Sequence, residues 1–459
     1  MLNKLSHETS VIQPLFTWFM VIIFLTGCVE KMILPEDLLE DSGTATVPST
    51  NDTTYLQVNP VWDAVIGFMT PMDLSIARDG HIFIADSAAN SIFVLDQGGV
   101  RVEGFDIFIN LQDSDGLPIS PIDVDVDSKM NAFFIDGSNR IFRWNLYWNS
   151  TGIDSVLTSA VFKDTLTGDT ITTEYGTLAW FEQLNFQDMT IVEYHWTADL
   201  ALLDSYLKPH LFYDGANDPD YESSWFSAIT TVEDTRNHLF VTDYANDRIL
   251  EIYYARNNFI KLSSGEYVWS HFGVKISEPE DYGTGSGTVN KPLGLDVDYE
   301  NNLYYCQTGE VFLVHKIYPD FSKGYLDYLS AFQLFKHDIM DLGRFSAPRD
   351  VAVDDNQMIY VSNSGAREIQ VFNSDGSFFK KAGILEYRVD RELGYPTDSL
   401  AVVVDSTEYF YLVEEPGLLL NPAGITVDDR GVIYVCDPDQ SSIFRFRLSN
   451  VLDEDLQPE

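Results

Sequence analysis

The chain has 459 residues, 45% hydrophobic and 14% aromatic, enough to bury a large core in one big domain or a few small ones. It carries 28 Lys+Arg against 71 Asp+Glu, a formal net charge of −43. That balance excludes nucleic acid as a partner and repels anionic lipid, and the aromatic content excludes a disordered acidic chain.

The first element is an apolar run, Leu15 to Leu25 (LFTWFMVIIFL), preceded by Lys4 and too short to span a bilayer comfortably. Leu25-Thr26-Gly27-Cys28 follows. The run and its small residues read as a secretory signal cut near Gly27. LTGC also resembles a bacterial lipobox. The resemblance implies that residues 1–27 are removed and that Cys28 is lipidated, with palmitate among its acyl chains, as the new N-terminus. Several acyl chains would hold the protein stably at a membrane. Val29 stands where aspartate would signal inner-membrane retention. The expected location is therefore the bacterial cell envelope, at the outer membrane, facing the periplasm or the surface. Residues 28–58 are acidic and rich in Ser, Thr and Pro, as suits a tether.

A pattern then recurs: PMDLSIARDGHIFIAD from Pro71, PIDVDVDSKMNAFFID from Pro121, PLGLDVDYENNLYYCQ from Pro292, PRDVAVDDNQMIYVSN from Pro348 and PAGITVDDRGVIYVCD from Pro422, with a weaker copy from Ala228. Each copy reads as an alternating strand, a polar turn and a second strand ending at Asp86, Asp136, Asp243, Gln307, Asn363 or Asp437. A third strand follows. In four copies Ile stands six places after the acid or amide: Ile92, Ile249, Ile369 and Ile443. Such a kept spacing indicates a fixed turn.

These copies resemble the NHL-repeat family of β-propellers. The resemblance implies an all-β fold of six blades over about 59–450, with an acidic tail at 451–459. Closure requires a strand from the chain start in the last blade, and Asn59 to Phe68 is the expected donor. The third repeat residues, aligned as Asp73, Asp123, Thr230, Gly294, Asp350 and Gly424, are 50, 107, 64, 56 and 74 apart. One blade needs about 40–50 residues. The long gap therefore holds an insertion after blade two, about 147–226, with a β-ribbon near Asp169 to Glu174 and a short helix over Thr197 to Lys208. A smaller insertion is expected at Tyr387 to Leu419.

DVDVD, Asp123 to Asp127, is then an innermost strand. Val124 and Val126 face a neighbouring blade, and Asp127, like Asp298, Asp354 and Asp428, starts a turn in which Asp bonds nearby backbone. Asp73, Asp123, Asp125, Asp296 and Asp350 should converge on the central channel. Converging carboxylates with no Lys or Arg among them suit a hard cation such as Ca²⁺, or a hydrated, partly protonated channel. The family includes an amidating lyase with zinc on channel histidines, but the residues after the repeat prolines are Met72, Ile122, Leu293, Arg349 and Ala423. No HExxH, GxSxG, CxxC or phosphate loop occurs. Cys306 and Cys436 occupy equivalent places two blades apart. At a ring radius of roughly 8 Å they would lie about 14 Å apart, beyond the ~7 Å reach of a disulfide, so both are expected as buried free thiols. Five of the eight Trp lie between Trp144 and Trp225, and Trp148, Trp180, Trp196 and Trp225 are the candidate contact surface. The expected function is a monomeric, lipid-anchored binding scaffold for a protein, peptide or glycan. The alternative is a lyase or lactone hydrolase with a divalent cation on Asp123, Asp125 and Asp350 at the channel mouth.

Overall fold

The computed structural model describes residues 54–449, apart from 114, 146–158, 164–169, 175–178, 186–189, 198–208, 219–222, 233–236, 262–266, 310, 323–325, 391–400 and 404–408. Six antiparallel sheets form the blades of a β-propeller. From the inside outwards, blade one is Pro71–Ile76, Ile82–Asp86 and Ser91–Leu95. Blade two is Asp123–Val126, Asn131–Ile135, Arg140–Asn145 and His210–Asp214. Blade three is Phe226–Thr231, His238–Asp243, Arg248–Lys261 and Tyr267–Ser277. Blade four is Pro292–Val297, Leu303–Gln307, Val314–Asp320 and Asp327–Ser330. Blade five is Pro348–Val353, Ile359–Asn363, Glu368–Phe372 and Phe378–Ala382. Blade six is Ile425–Val427, Val432–Asp437 and Ser442–Ser449, completed by Thr54–Gln57.

Closure by the chain start therefore occurs, but through a different segment. Thr54 pairs with Ser449 and Gln57 with Phe446, so the closing strand falls inside the stretch read as tether. Asn59 to Phe68 instead crosses the junction of blades six and one. There Trp62 is buried, bridges Ile443 and lies 4.5 Å beneath the Arg445 guanidinium.

The core is divided into six layers, one between each pair of neighbouring blades. Alternation explains this: the two faces of each blade both meet a neighbour, so both are apolar. Between blades one and two, Phe83, Phe108 and Phe134 pack with Trp144, whose ring centroid is 4.9 Å from that of Phe108. Trp144 is thus core. The repeated isoleucines Ile92, Ile249, Ile369 and Ile443 are fully buried, and each such side chain contributes about 1.5–3 kcal/mol.

The acid before each isoleucine has a specific task. Asp86 accepts from the amides of Met69, Thr70 and Ala89, tying the incoming loop to the turn. Asp243 does so for Trp225, Asp437 for Leu420 and Asn363 for Ser346. Gln307 keeps the role with an amide oxygen, accepting from Asn290. The turn aspartates behave as expected: Asp127 accepts from Lys129 and Asn131, and Asp298, Asp354 and Asp428 repeat the pattern.

The large insertion lies within blade two rather than after it. It leaves after Asn145, and the chain returns at His210–Asp214 to pair with the third strand as the outer strand. Its described parts are two hairpins, Ser159–Lys163 with Thr170–Glu174 and Ala179–Asn185 with Thr190–Thr197. The expected helix from Thr197 to Lys208 lies outside the described residues beyond Thr197. The smaller insertion is a three-stranded sheet of Ile384–Asp390, Ala401–Val403 and Tyr409–Pro416.

Candidate functional site

Each inner strand starts at the same end of the channel, which we term the mouth. Blade three defines its own register there: Phe226 opposes Asp243 as Pro71 opposes Asp86. The third repeat residue of blade three is therefore Ala228, two places before the Thr230 expected from sequence. The third-position ring is Asp73, Asp123, Ala228, Gly294, Asp350 and Gly424. The fifth-position ring is Ser75, Asp125, Thr230, Asp296, Ala352 and Thr426.

The expected acids do converge: Asp73, Asp123, Asp125, Asp296 and Asp350 line one narrow cavity of about 60 Å³. Their partners explain why they are acids. An innermost strand has a free edge, and its buried N–H groups need acceptors. Each carboxylate reaches the next blade. Asp73 Oδ2 accepts from the Val124 amide at 3.3 Å and Asp350 Oδ2 from the Ile425 amide at 2.8 Å. Asp296 Oδ2 accepts from Val353 at 2.7 Å. Asp125 Oδ2 accepts from the amide and hydroxyl of Thr231, and its Oδ1 from Ser75 Oγ. The Leu74 amide also acts on Asp73, Ile229 on Asp123, and Leu295 and Val351 on Asp350. Third-position acids thus accept from the fourth-position N–H of the next blade at Val124 and Ile425. The alternating glycines make this possible. A Cβ on Gly294 would lie 2.2 Å from Asp350 Oδ1, and one on Gly424 equally close to Asp73 Oδ1.

Burial, and then mutual repulsion, push the Asp73 and Asp123 carboxyls well above the usual carboxylate range. Burial does the same to Asp296. Asp350 is raised to about 7 by burial, against the opposing pull of the Ile425 and Val351 amides and the Arg349 charge. Asp123 Oδ1 has no hydrogen-bond partner although the residue is only 8% exposed. Among the described residues no group of three or more His, Cys, Asp or Glu is placed to hold a metal ion, and no histidine lines either cavity of the channel.

Above the acids the channel widens into a mouth cavity of about 370 Å³. Met72, Ile122, Leu293 and Ala423 give it apolar walls, and Asp73, Asp123 and Asp350 form its floor. Trp225, Ser227, Asp136 and Arg349 complete the lining. Asp136 is already paired with Arg140 at 2.7 Å. Trp225 is 45% exposed and stands edge-on to Tyr244 at 4.6 Å, with the Lys291 ammonium 5.2 Å from the Tyr244 ring. Arg349 is exposed. Sequence reading passed over Ser227, because of the register, and Arg349, whose signal was a lone cation among Met, Ile, Leu and Ala at the second repeat position.

Trp225 and the hairpin that carries Trp180 and Trp196 stand on different connections of the chain. Strands alternate in direction, so the connection from third to outer strand lies at the end opposite the mouth, and the insertion leaves there. Its strand Ala179–Asn185 packs along Arg248–Lys261 of blade three. The register sets Trp180 opposite Trp196 in that hairpin. Trp225 lies on the connection into blade three, at the mouth. Cys28 and Trp148 lie outside the described residues. Cys306 and Cys436 are free and buried, as expected.

No family model and no curated protein matches the chain. Solved structures do. A virginiamycin B lyase from Staphylococcus aureus is similar at 14% identity and a TM-score of 0.40, covering 86% of this chain and 100% of that one. A gluconolactonase from Xanthomonas campestris is similar at 10% identity and a TM-score of 0.38, with 86% and 97% covered. A calcium-binding regucalcin from Agrobacterium tumefaciens is similar at 8% identity and a TM-score of 0.41, with 84% and 92% covered.

Proposed function

We propose that the protein is an envelope-anchored binding propeller whose recognition site is the channel mouth. One observation carries this reading: an open, mostly apolar cavity with an exposed tryptophan and an exposed arginine at its rim sits above acids already engaged in holding blades together. Apolar walls with a few polar groups are the composition of a ligand site. Screening the full-length protein and its Trp225→Ala variant against arrays of short peptides and glycans tests it. The expected result is a ligand whose retention falls at least tenfold in the variant. Ligands held equally by both proteins would move recognition away from the mouth, to the hairpin that carries Trp180 and Trp196.

The second reading, a lyase or lactone hydrolase with a divalent cation such as Ca²⁺ on Asp123, Asp125 and Asp350, is favoured by the unpartnered Asp123 Oδ1. It requires those acids to give up amide partners for the ion. Attachment is proposed through lipid on Cys28, with the following residues as tether. Labelled palmitate should enter the wild type and not a Cys28→Ser variant.

A further inference from the structure

We infer that the mouth takes a small zwitterion, an amino acid or short peptide, with its ammonium over Asp123 on the channel floor and its carboxylate at Arg349 on the rim. The inference rests on the mouth being the recognition site and names what it recognises. Asp123 belongs to blade two and Arg349 to blade five, three places round a ring of six, so the two groups face each other across the cavity. Asp123 Oδ1 is a buried oxygen with no hydrogen-bond partner, a costly arrangement that a ligand ammonium would relieve while drawing the carboxyl, raised by burial and by its acidic neighbours, back to its ionised form. Arg349 forms no ion pair among the described residues, in a chain with 71 Asp+Glu. Its guanidinium suits a carboxylate in two-point contact. A net anion would be repelled by the −43 charge, and a simple amine would leave Arg349 unused. A zwitterion satisfies both ends without a net charge. Trp225 and the apolar wall of Met72, Ile122 and Leu293 would take a side chain, and about 370 Å³ admits a ligand of this size.

Calorimetric titration of the full-length protein with glycine, 4-aminobutyrate, diglycine and triglycine tests the inference, with N-acetyl and methyl-ester forms of each as probes of the two ends. One chain length should bind best, and blocking either end should cost at least tenfold. Arg349→Gln should remove the preference for a free carboxylate, and Asp123→Asn the preference for a free ammonium. Arg349 is exposed, so its variant reports on binding without threatening the fold. Blocked peptides or neutral glycans binding as well as zwitterions, in the wild type and in both variants, would overturn the inference. A Trp225→Ala loss for those same ligands would leave the binding mouth standing. Ca²⁺ taken up where no zwitterion binds would overturn it in favour of the cation reading.

Discussion

Raising the pH from about 5 to about 8.5 should weaken the propeller, and the channel acids set the size of the effect. Asp350 is lifted from an ordinary 3.8 to about 7, chiefly by burial. A folded-state value above the unfolded one means that the protonated carboxyl favours the folded chain. That contribution is complete below about pH 4 and is lost as pH rises through about 7. Lifting a carboxyl that far corresponds to on the order of 4 kcal/mol. Asp73 and Asp123 are raised in the same direction, and the three repel one another, so their effects do not simply add. Turn carboxylates such as Asp113, held low first by the Leu117 amide, stay ionised across this window and contribute no slope. The assay is urea unfolding followed by tryptophan fluorescence, in about 0.5 M salt to screen general surface repulsion. Wild-type stability should fall across the window by a few kcal/mol, and Asp350→Asn should flatten the fall. Stability that stays level or rises with pH, or a variant curve parallel to the wild type, would refute the reasoning.

Gly294→Ala should cost about 3 kcal/mol, because its Cβ would meet Asp350 backbone and not only a movable side chain; a urea midpoint equal to wild type would contradict the close approach of 2.4 Å to the Asp350 Cα. Cys306 and Cys436, both fully buried and with thiols pushed up by burial, should resist a thiol reagent in the native protein and react on unfolding; fast labelling of the native protein would contradict that burial.

The blades were legible because each carries its own local chemistry: the turn aspartate, the acid that anchors the incoming loop, and the isoleucine beyond it. Blade three was misregistered because Phe226 takes the place of the proline, so the weaker copy was aligned from Ala228 instead. The closing strand went unseen because Thr54 to Gln57 has no motif; its identity as a strand comes from pairing with Phe446 to Ser449 at the far end of the chain. The outer strand of blade two, His210 to Asp214, was hidden in the same way beyond the insertion. DVDVD was read correctly as an innermost strand. Its purpose was not readable, because the amides it serves belong to the next blade. Nor could alternation alone tell that Gly294 and Gly424 exist to admit the carboxylates of Asp350 and Asp73.

The most direct test of the account is the divalent-metal content of the purified full-length protein, with thermal melts in Ca²⁺ and in EDTA for the wild type and Asp123→Asn. If the channel acids hold blades together through backbone amides, no stoichiometric ion is found, the wild-type melt is the same in both, and Asp123→Asn, which keeps an acceptor oxygen, does not become sensitive to Ca²⁺ or EDTA. One tightly held ion, with a melt that falls in EDTA and falls again in the variant, would contradict the account and make the acidic ring a metal site.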